Sequence, residues 1–288
     1  MADIISIIIP TYNRADSLPN AIRSIMDQSA DNWELIIIDD GSSDDTSRVV
    51  SKYLTDERIK YYFQRNSGVS AARNKGVDLS SADYLIFLDS DDQFLPGLLF
   101  RLNEIDYSQY ELICWQVIKK IDEETKIWKP RKLEKIYNNI TATFLSGSIC
   151  YKKEIFLQAG GFDSNMSFGE NYELGLRISE RKDLKIKILD REFLYYAINS
   201  NSRESNSLTN RLKSYHNLYE KHKEKFQRDR KSHSQMQYLL GFVYEKLGMK
   251  KEAKNHFISS FFINPFNYKA LLKSIYFKVF CYEGSFFN

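Results

Sequence analysis

Four short apolar runs, separated by segments with helical spacing, occupy the first third of the chain. The runs are Ile4–Ile9, Leu35–Ile38, Ile59–Phe63 and Tyr84–Leu88. A continuous apolar run indicates a strand that is covered on both faces, as the strands of a parallel sheet are. Between the first two runs, Ala21, Ile22 and Ile25 share one side of a helix. This β-α-β-α-β-α-β order predicts an α/β fold, with helices on both faces of a mostly parallel sheet.

Beyond Pro96 the pattern is mixed, and it then becomes entirely helical. We expect strands near 112–118, 143–151, 184–189 and 193–198, and helices near 97–105, 154–159 and 172–180. A segment rich in Asn and Ser follows, and all residues from there to Phe280 have helical spacing. The sequence therefore predicts an α/β domain over 1–200, a linker over 201–210 and a basic helical extension over 211–288.

The composition is that of a globular protein, with 43% hydrophobic and 27% charged residues among 288. Met1 to Asp3 lead directly into a predicted strand, and no apolar run reaches the roughly 18 residues of a membrane span, so we expect neither secretion nor a spanning helix. The three cysteines, Cys114, Cys150 and Cys281, have no C-x-x-C spacing, which predicts reduced thiols in the cytoplasm.

Charge is distributed unevenly along the chain. Residues 1–207 carry 26 Lys and Arg against 32 Asp and Glu, whereas residues 208–288 carry 15 against 6. The basic and aromatic extension favours contact with an anionic lipid surface, and no recognised nucleic-acid-binding fold is present, so we expect no nucleic-acid partner. Near its end, Leu271, Leu272, Ile275 and Val279 share an apolar helical face, which either lies in a membrane interface or packs on the preceding helices.

Polar residues follow three of the predicted strands, at the edge where open parallel sheets bind ligands. These loops read Pro10-Thr11-Tyr12-Asn13, Asp39-Asp40-Gly41-Ser42 and Asp89-Ser90-Asp91-Asp92. Five carboxylates on one rim repel one another unless a cation or several hydrogen-bond donors share the site. Oxygen ligands of this kind suit Mg²⁺ or Mn²⁺. The alternative is that the acidic residues cap helices or hold a structural Ca²⁺.

Four segments resemble, in order and spacing, the successive motifs of the family 2 glycosyltransferases. They are Ser6–Arg14, Glu34–Ser42, Asn66–Asn74 and Asp89–Asp92. The resemblance covers about residues 3–198 and implies a GT-A fold, in which a Rossmann-like, mostly parallel sheet is flanked by helices. It also implies an inverting, metal-dependent enzyme that transfers a hexosyl or related group from a nucleotide-sugar.

The resemblance assigns the base-binding part of the donor site to the first two loops. Pro10, Thr11 and Tyr12 would line the base pocket, with the tyrosine ring against the base. Asp40 would accept a hydrogen bond from an imide N–H such as that of uracil, whereas Asp39 would hold the loop. This favours a UDP-sugar, although guanine also presents an imide and leaves GDP-sugars open.

The other two motifs would bind the ribose, the diphosphate and the metal. Arg73 would lie near the diphosphate or pair with the acidic motif. Asp91 and Asp92 would hold the ribose and the Mn²⁺ or Mg²⁺ ion, with Asp92 as the more direct ligand, and Asp89 would support either. The remaining members of the implied donor set are Asn66 and Gly68.

The segment Phe168–Arg177 resembles the acceptor-side motif of the family, which usually reads Glu-Asp, with the Asp as catalytic base. Here Asn171 stands at the position of that Asp, and an amide does not accept a proton at neutral pH. Glu170 is the nearest replacement, and Asp163 is a second candidate. The alternatives are that Glu170 caps the following helix, or that the chain is an inactive regulatory homologue that binds nucleotide-sugars.

The sequence therefore predicts transfer of a sugar from a UDP-sugar to a carbohydrate or lipid-linked acceptor in surface polysaccharide synthesis. We expect a cytoplasmic protein, peripheral on the inner face of the cell membrane, and homo-oligomerisation stays open. A phosphoacceptor receiver domain is disfavoured, because Pro10-Thr11-Tyr12 follows the first strand where that fold needs an acidic pair. The extension resembles a single tetratricopeptide repeat, and an ordinary helical hairpin is the alternative. The residues at the spacing of this repeat are Leu240, Gly241, Tyr244, Ala253, Phe257 and Pro265.

Overall fold

The structure is a computed structural model that describes residues 5–106, 109–121, 123–198 and 207–279. The described chain divides into two compact units. The sheet unit takes in most described residues up to 198, and the helical unit takes in those from 207 onward together with Glu134–Asn139 and Asn165–Gly169. Of the predicted linker over 201–210, residues 201–206 lie outside the described residues.

Eleven strands and six helices of the described residues lie before residue 199. The strands are β1 (Ile5–Thr11), β2 (Trp33–Asp39), β3 (Ile59–Phe63), β4 (Tyr84–Phe87), β5 (Gln93–Phe94), β6 (Leu112–Ile121), β7 (Glu124–Trp128), β8 (Arg131–Lys132), β9 (Thr141–Ala142), β10 (Ile149–Lys152) and β11 (Ile186–Ile198). The helices are α1 (Leu18–Met26), α2 (Thr46–Ser51), α3 (Val69–Leu79), α4 (Leu98–Asn103), α5 (Lys153–Gln158) and α6 (Glu170–Ile178).

The main sheet has the strand order β3-β2-β1-β4-β10-β6-β11-β5, and β7 pairs with β6. Strands β1 to β4 are mutually parallel, and β10 runs antiparallel between β4 and β6. Every residue of β1 and β2 is buried, which explains why both strands are continuous apolar runs in the sequence. The predicted α/β class and its Rossmann-like first half are confirmed.

The sequence prediction was wrong at two places in the second half of the sheet unit. The strand expected over 143–151 becomes β10 only at Ile149, because the chain turns at Gly147, whose φ is +77°. A Cβ at Gly147 would lie 2.7 Å from Leu194 Cδ1, so the turn is packed against the core rather than left open for a ligand. The two strands expected over 184–189 and 193–198 are one strand, β11, with register irregularities between Leu189 and Leu194.

Helix α3 approaches β1 closely because Gly76 faces the strand. A Cβ on Gly76 would lie 2.4 Å from Ile8 Cγ2, which no side chain tolerates without a shift. The glycine therefore fixes how near α3 lies to the sheet. This placement buries Arg73, one helical turn earlier, to 2% exposure.

The helical unit consists of α7 (Leu208–Lys221), α8 (Lys223–Arg228), α9 (Arg230–Lys246), α10 (Lys250–Ile263) and α11 (Tyr268–Val279). Helices α9 and α10 form an antiparallel hairpin, in which Ser234 contacts Ser260 and Gly241 faces Phe257. Phe257 also packs against Phe277 of α11. The predicted helical extension with tetratricopeptide-like spacing is thus confirmed. Among the described residues, no helix is both long and apolar enough to cross a membrane.

Candidate functional site

The loops that follow β1 and β2 form one connected rim at the carboxyl end of the sheet. The amide of Asp40 donates to the carbonyl of Thr11 at 2.8 Å, and the amide of Asn13 donates to Ser42 Oγ at 2.8 Å. In return, Asn13 Oδ1 accepts from the amide of Ser43 at 2.8 Å. These cross-links hold the two loops in a fixed relation to each other.

The buried carboxylate of Asp40 organises the segment that leads into α3. Its Oδ1 accepts from Gln64 Nε2 at 2.7 Å and from the amide of Ser67 at 2.8 Å, and its Oδ2 accepts from the amide of Gly68 at 2.8 Å. Three of its four lone-pair sites are therefore occupied by protein donors. Any imide N–H that binds Asp40 has to approach Oδ2.

Asp39 holds its own loop, as the sequence analysis expected. Its Oδ1 accepts from the amide of Ser42 at 2.7 Å, and its Oδ2 accepts from the hydroxyl of Tyr61 at 2.6 Å. Burial and this hydrogen bond to a carboxylate both raise the pKa of Tyr61, so the hydroxyl stays a donor. The two consecutive aspartates are thus both structural supports of the rim.

The predicted base-pocket residues differ in how far they reach solvent. Pro10 and Thr11 are buried in the last part of β1, whereas Tyr12 is 41% exposed. Asn66 and Gly68 are also exposed, on the segment that Asp40 organises. An exposed aromatic ring beside exposed amides can stack on a flat heterocycle and bind its polar edge.

Three carboxylates converge where the chain leaves β4. Asp89, Asp91 and Asp92 each offer an oxygen, and these oxygens all lie within 4.8 Å of one another. Asp92 is fully buried, and the other two are partly exposed. A Mg²⁺ ion at about 2.0–2.1 Å from its ligands holds them roughly 3–4 Å apart, so this all-oxygen group fits a hard divalent cation.

Arg73 joins this acidic group to the start of α6. Its Nη2 donates to Asp89 Oδ1 at 2.7 Å, and its Nη1 donates to Glu170 Oε1 at 2.8 Å. Burial lowers the pKa of Arg73, but the negative charges of Asp89 and Glu170 raise it by more. The guanidinium therefore stays charged. Of the two roles considered for Arg73, the structure shows the pairing with the acidic motif.

The candidate acceptor-side residues lie at and before the first turn of α6. Glu170 is 8% exposed, and its Oε1 also accepts from Asn171 Nδ2 at 3.2 Å. Among the described residues, both donors to Glu170 contact Oε1, so Oε2 is the oxygen left to receive a proton. Asp163 is partly exposed and follows Phe162, whose ring lies 5.1 Å from Arg73 Cζ.

Two supporting residues of this site escaped the sequence analysis. Asn74 Nδ2 donates to the carbonyl of Phe162 at 2.8 Å, and Asn74 Oδ1 accepts from the amide of Phe162 at 2.9 Å. This pair of hydrogen bonds fixes the Phe162 ring beside the guanidinium of Arg73. Asn74 is the last residue of the third motif, and this position was the sequence signal that could have identified it as part of the site.

Arg177, which forms an ion pair with Glu173 within α6, also fixes the helix to the loop before it. Arg177 Nε donates to Glu173 Oε1 at 2.9 Å, and Arg177 Nη2 donates to the carbonyl of Gly161 at 2.6 Å. Arg177 Nη1 contacts the carbonyl of Ala159 as well. Because Glu173 is fully buried, this arrangement sets the position from which Glu170 enters the site.

Two family models match the chain. The model described as glycosyl transferase family 2 matches residues 6–161, which contain the whole rim and all four motifs. The model described as anaphase promoting complex subunit 8 / Cdc23 matches residues 107–273. That second match spans strands β6 to β11 as well as most of the helices from residue 208 onward.

Several bacterial proteins are similar in sequence. An uncharacterized glycosyltransferase of Rickettsia bellii is 32% identical over 62% of this chain and 26% of its own length. A Campylobacter jejuni protein named GalNAc(5)-diNAcBac-PP-undecaprenol beta-1,3-glucosyltransferase is 37% identical over 46% of this chain and 44% of its own. An uncharacterized glycosyltransferase of Haemophilus influenzae is 26% identical over 88% of this chain and 89% of its own length. The chain thus spans about a quarter of the Rickettsia relative.

Among solved structures, residues 1–349 of S. aureus TarS in complex with UDP-GlcNAc match with a TM-score of 0.69. The match covers 95% of this chain and 89% of that one, at 16% sequence identity. At that identity the likeness establishes the fold alone.

Proposed function

The chain belongs to glycosyl transferase family 2, and from this premise we propose that it transfers a sugar, with inversion, from a UDP-sugar to a carbohydrate or lipid-linked acceptor. One observation carries the proposal. Three carboxylates within 4.8 Å of one another stand at the carboxyl end of β4, on the same sheet edge as the exposed ring of Tyr12 and the loop around Asp40. A nucleoside diphosphate has a flat base and a charged diphosphate. Tyr12 and the loop around Asp40 would bind the base, and the three carboxylates would bind the diphosphate through a cation.

On the donor side, Tyr12 packs against the base and Asp40 Oδ2 accepts a hydrogen bond from the imide N–H. Asn66 and Gly68 contribute exposed backbone beside the base. TarS was crystallised with UDP-GlcNAc, which supports a uridine nucleotide as the first donor to test.

We assign the cation site to Asp91 and Asp92, with Asp89 shared between the site and Arg73. The bound Mn²⁺ or Mg²⁺ would neutralise the diphosphate as it leaves. The chain's own contribution is to hold three carboxylates together, which costs free energy through their mutual repulsion unless a cation is bound. Arg73 offsets part of that repulsion at Asp89.

On the acceptor side, Glu170 is our candidate for the base that takes the proton of the acceptor hydroxyl. Its Oε1 is held by Arg73 and Asn171, which orients the carboxylate and leaves Oε2 for the proton. Asp163 is the second candidate. The C. jejuni relative has a lipid-linked acceptor by its name, so we propose an acceptor of that class and work at the inner face of a membrane, in surface polysaccharide synthesis.

The same contacts favour one rival function. The Glu170 carboxylate is engaged in an ion pair with Arg73, and an amide stands where the family usually has its base. A regulatory homologue that binds nucleotide-sugars without transferring them would have the same site.

A panel of UDP-, GDP- and dTDP-sugars, each with Mn²⁺, with Mg²⁺ and with EDTA, tests both functions. Thermal shift reports binding, and release of the free nucleoside diphosphate reports turnover. The transferase proposal expects a metal-dependent shift with one UDP-sugar and slow hydrolysis of the same compound. Binding without hydrolysis, and without transfer to any glycan or lipid-linked acceptor, would leave the regulatory function, and no binding in any condition would exclude both.

A further inference from the structure

The turn from α10 to α11 and the helix after it expose several large apolar side chains. Phe262, near the end of α10, is 73% exposed, and Phe266, in the turn, is 91% exposed. Four more follow on α11, where they form what we call the α11 face: Tyr268, Leu272, Ile275 and Tyr276, each 48–64% exposed. Clusters of this kind on a protein surface mark a contact with another molecule.

Among the described residues, the α11 face lies opposite the side chains that pack α11 into the core of the helical unit. Its members have i, i+4, i+7 and i+8 spacing and lie on one side of the helix. The opposite side presents Ala270 and Phe277, which are buried in the core of the helical unit with Phe257. For Leu272 and Ile275, the expectation that they pack on the preceding helices is therefore wrong. Leu271 is half-buried, and the side chain of Val279 lies outside the described residues.

The charge around this face is predominantly positive. Residues 246–279 contain seven lysines and a single acidic residue, Glu252. Lys269 is exposed beside Tyr268 at the start of α11, and Lys250 and Lys251 are exposed at the start of α10. Lys273 is paired with Glu245 at 2.6 Å, within the unit.

This positive charge distinguishes between two partners that could cover the face, a second copy of the chain and an anionic lipid surface. A symmetric contact with a second copy of the chain brings the same surface against itself, so lysines would meet lysines. An anionic lipid surface neutralises them instead, and each lysine near it strengthens binding about fivefold. Aromatic rings beside aliphatic side chains also suit the boundary between headgroups and acyl chains.

We propose that the α11 face, together with Phe266, lies in the interfacial layer of an anionic membrane. The aliphatic side chains and rings enter the boundary layer, and Lys269 and its neighbours contact lipid phosphates. The helix lies along the surface and does not cross the bilayer. The proposal rests on this surface alone and holds whether or not the sheet unit transfers sugar.

Flotation of the full chain with vesicles tests it. The vesicles are phosphatidylglycerol and phosphatidylcholine at about 3:7, or phosphatidylcholine alone. The variant carries Leu272→Asp and Ile275→Asp, and the matched control carries Leu157→Asp, since Leu157 is 52% exposed on α5 of the sheet unit. Far-UV circular dichroism verifies that all three chains keep their helical content.

We expect the wild type and the Leu157→Asp control to float with anionic vesicles, and the double variant to lose at least about tenfold in its partition coefficient. Binding to phosphatidylcholine alone should be weaker for all chains. Equal flotation of the double variant and the wild type, or no flotation of the wild type, would overturn the proposal. So would light scattering that shows a wild-type dimer which the double substitution converts to a monomer, because a second copy would then occupy the face.

Discussion

The two ends of the main sheet both carry buried carboxylates, but one end surrounds a single carboxylate with several donors, whereas the other end gathers three carboxylates together. At the amino end, Glu34 Oε1 accepts from Ser6 Oγ and from the amide and hydroxyl of Ser81, and its Oε2 accepts from Lys60 Nζ at 2.8 Å. One carboxylate thus has one cation and three further donors. At the carboxyl end, Asp89, Asp91 and Asp92 stand together, and Arg73 is shared between Asp89 and Glu170.

The difference shows that burial of an acidic group does not by itself indicate function. Burial raises the pKa of Glu34, but the hydrogen bonds from Lys60, Ser6 and Ser81 outweigh it and lower that pKa to about 2. Glu34 is therefore a satisfied structural charge that stabilises the fold. At the carboxyl end, oxygens of three carboxylates lie within 4.8 Å of one another, and this convergence is what makes it a candidate site for a cation and a substrate.

The largest effect expected at the carboxyl end is on turnover. Glu170→Gln keeps an oxygen for Arg73 but cannot accept a proton, so the transfer rate should fall about 10²–10⁴-fold. Donor affinity, measured by titration calorimetry with a UDP-sugar and Mn²⁺, should change little. Asp163→Asn is the matched comparison. Full activity of Glu170→Gln together with loss of activity in Asp163→Asn would show that Asp163 is the catalytic base.

The next effect concerns the cation. Asp92→Asn removes a ligand charge from the acidic group, so Mn²⁺-dependent affinity for UDP should fall at least about 10²-fold, while affinity in EDTA is unchanged. Ser90→Ala, at a buried neighbour in the same loop, serves as control. Unchanged Mn²⁺-dependent binding in a folded Asp92→Asn chain would show that the three carboxylates are not a metal site.

The amino end should behave in the opposite way, with stability affected and binding left intact. Because the pKa of Glu34 is about 2 when folded, against 4.5 for an ordinary glutamate, its contribution of about 3 kcal/mol is present above about pH 4.5 and is lost as the pH falls toward 2. Glu34→Gln should therefore lower the free energy of unfolding in urea at pH 7 by about that amount, and much less near pH 2.

Glu57→Gln, at an exposed position, is the control for the loss of one negative charge. A Glu34→Gln chain with wild-type stability at pH 7, or with reduced UDP affinity, would remove the contrast between the two ends.

The smallest effect is expected at the base pocket. Tyr12→Leu keeps apolar bulk but removes the ring, so donor affinity should fall about threefold to tenfold, whereas Tyr12→Phe should retain it. Fluorescence competition with a labelled uridine nucleotide distinguishes the two variants. Equal affinities of the Leu and Phe variants would show that the nucleobase binds elsewhere on the rim.

The strands at the centre of the sheet could be predicted because each is buried on both faces, which makes it a visible apolar run. The rim followed from the same runs, since a loop after a parallel strand lies at the carboxyl edge. Strand β10 was harder to predict, because its start depends on Gly147 packing against Leu194, a residue 47 positions later in the chain.

The residues of the site could be predicted from the sequence, but the contacts between them could not. The sequence indicated Arg73 and Glu170 separately, but nothing local shows that they form an ion pair across 97 positions. The same holds for Asn74 and Phe162, which are 88 positions apart. Such contacts are set by where α3 and α6 lie in the fold, and that placement depends on packing of the whole sheet unit.

The ion pairs of Arg73 have a consequence for recombining this chain with its relatives. Arg73 belongs to the half of the sheet unit that carries the donor motifs, and Glu170 belongs to the half that carries the acceptor motif. A chimera that exchanges one half for that of another family member also exchanges one partner of this buried pair. Where an incoming first half lacks the arginine, the hybrid would leave the buried Glu170 carboxylate without its ion-pair partner, at a cost of about 3–5 kcal/mol, whereas loss of Glu170 would still leave Arg73 paired with Asp89. Exchanges between family members should therefore move Arg73 and Glu170 together, and crossover points that separate them should give the least stable hybrids.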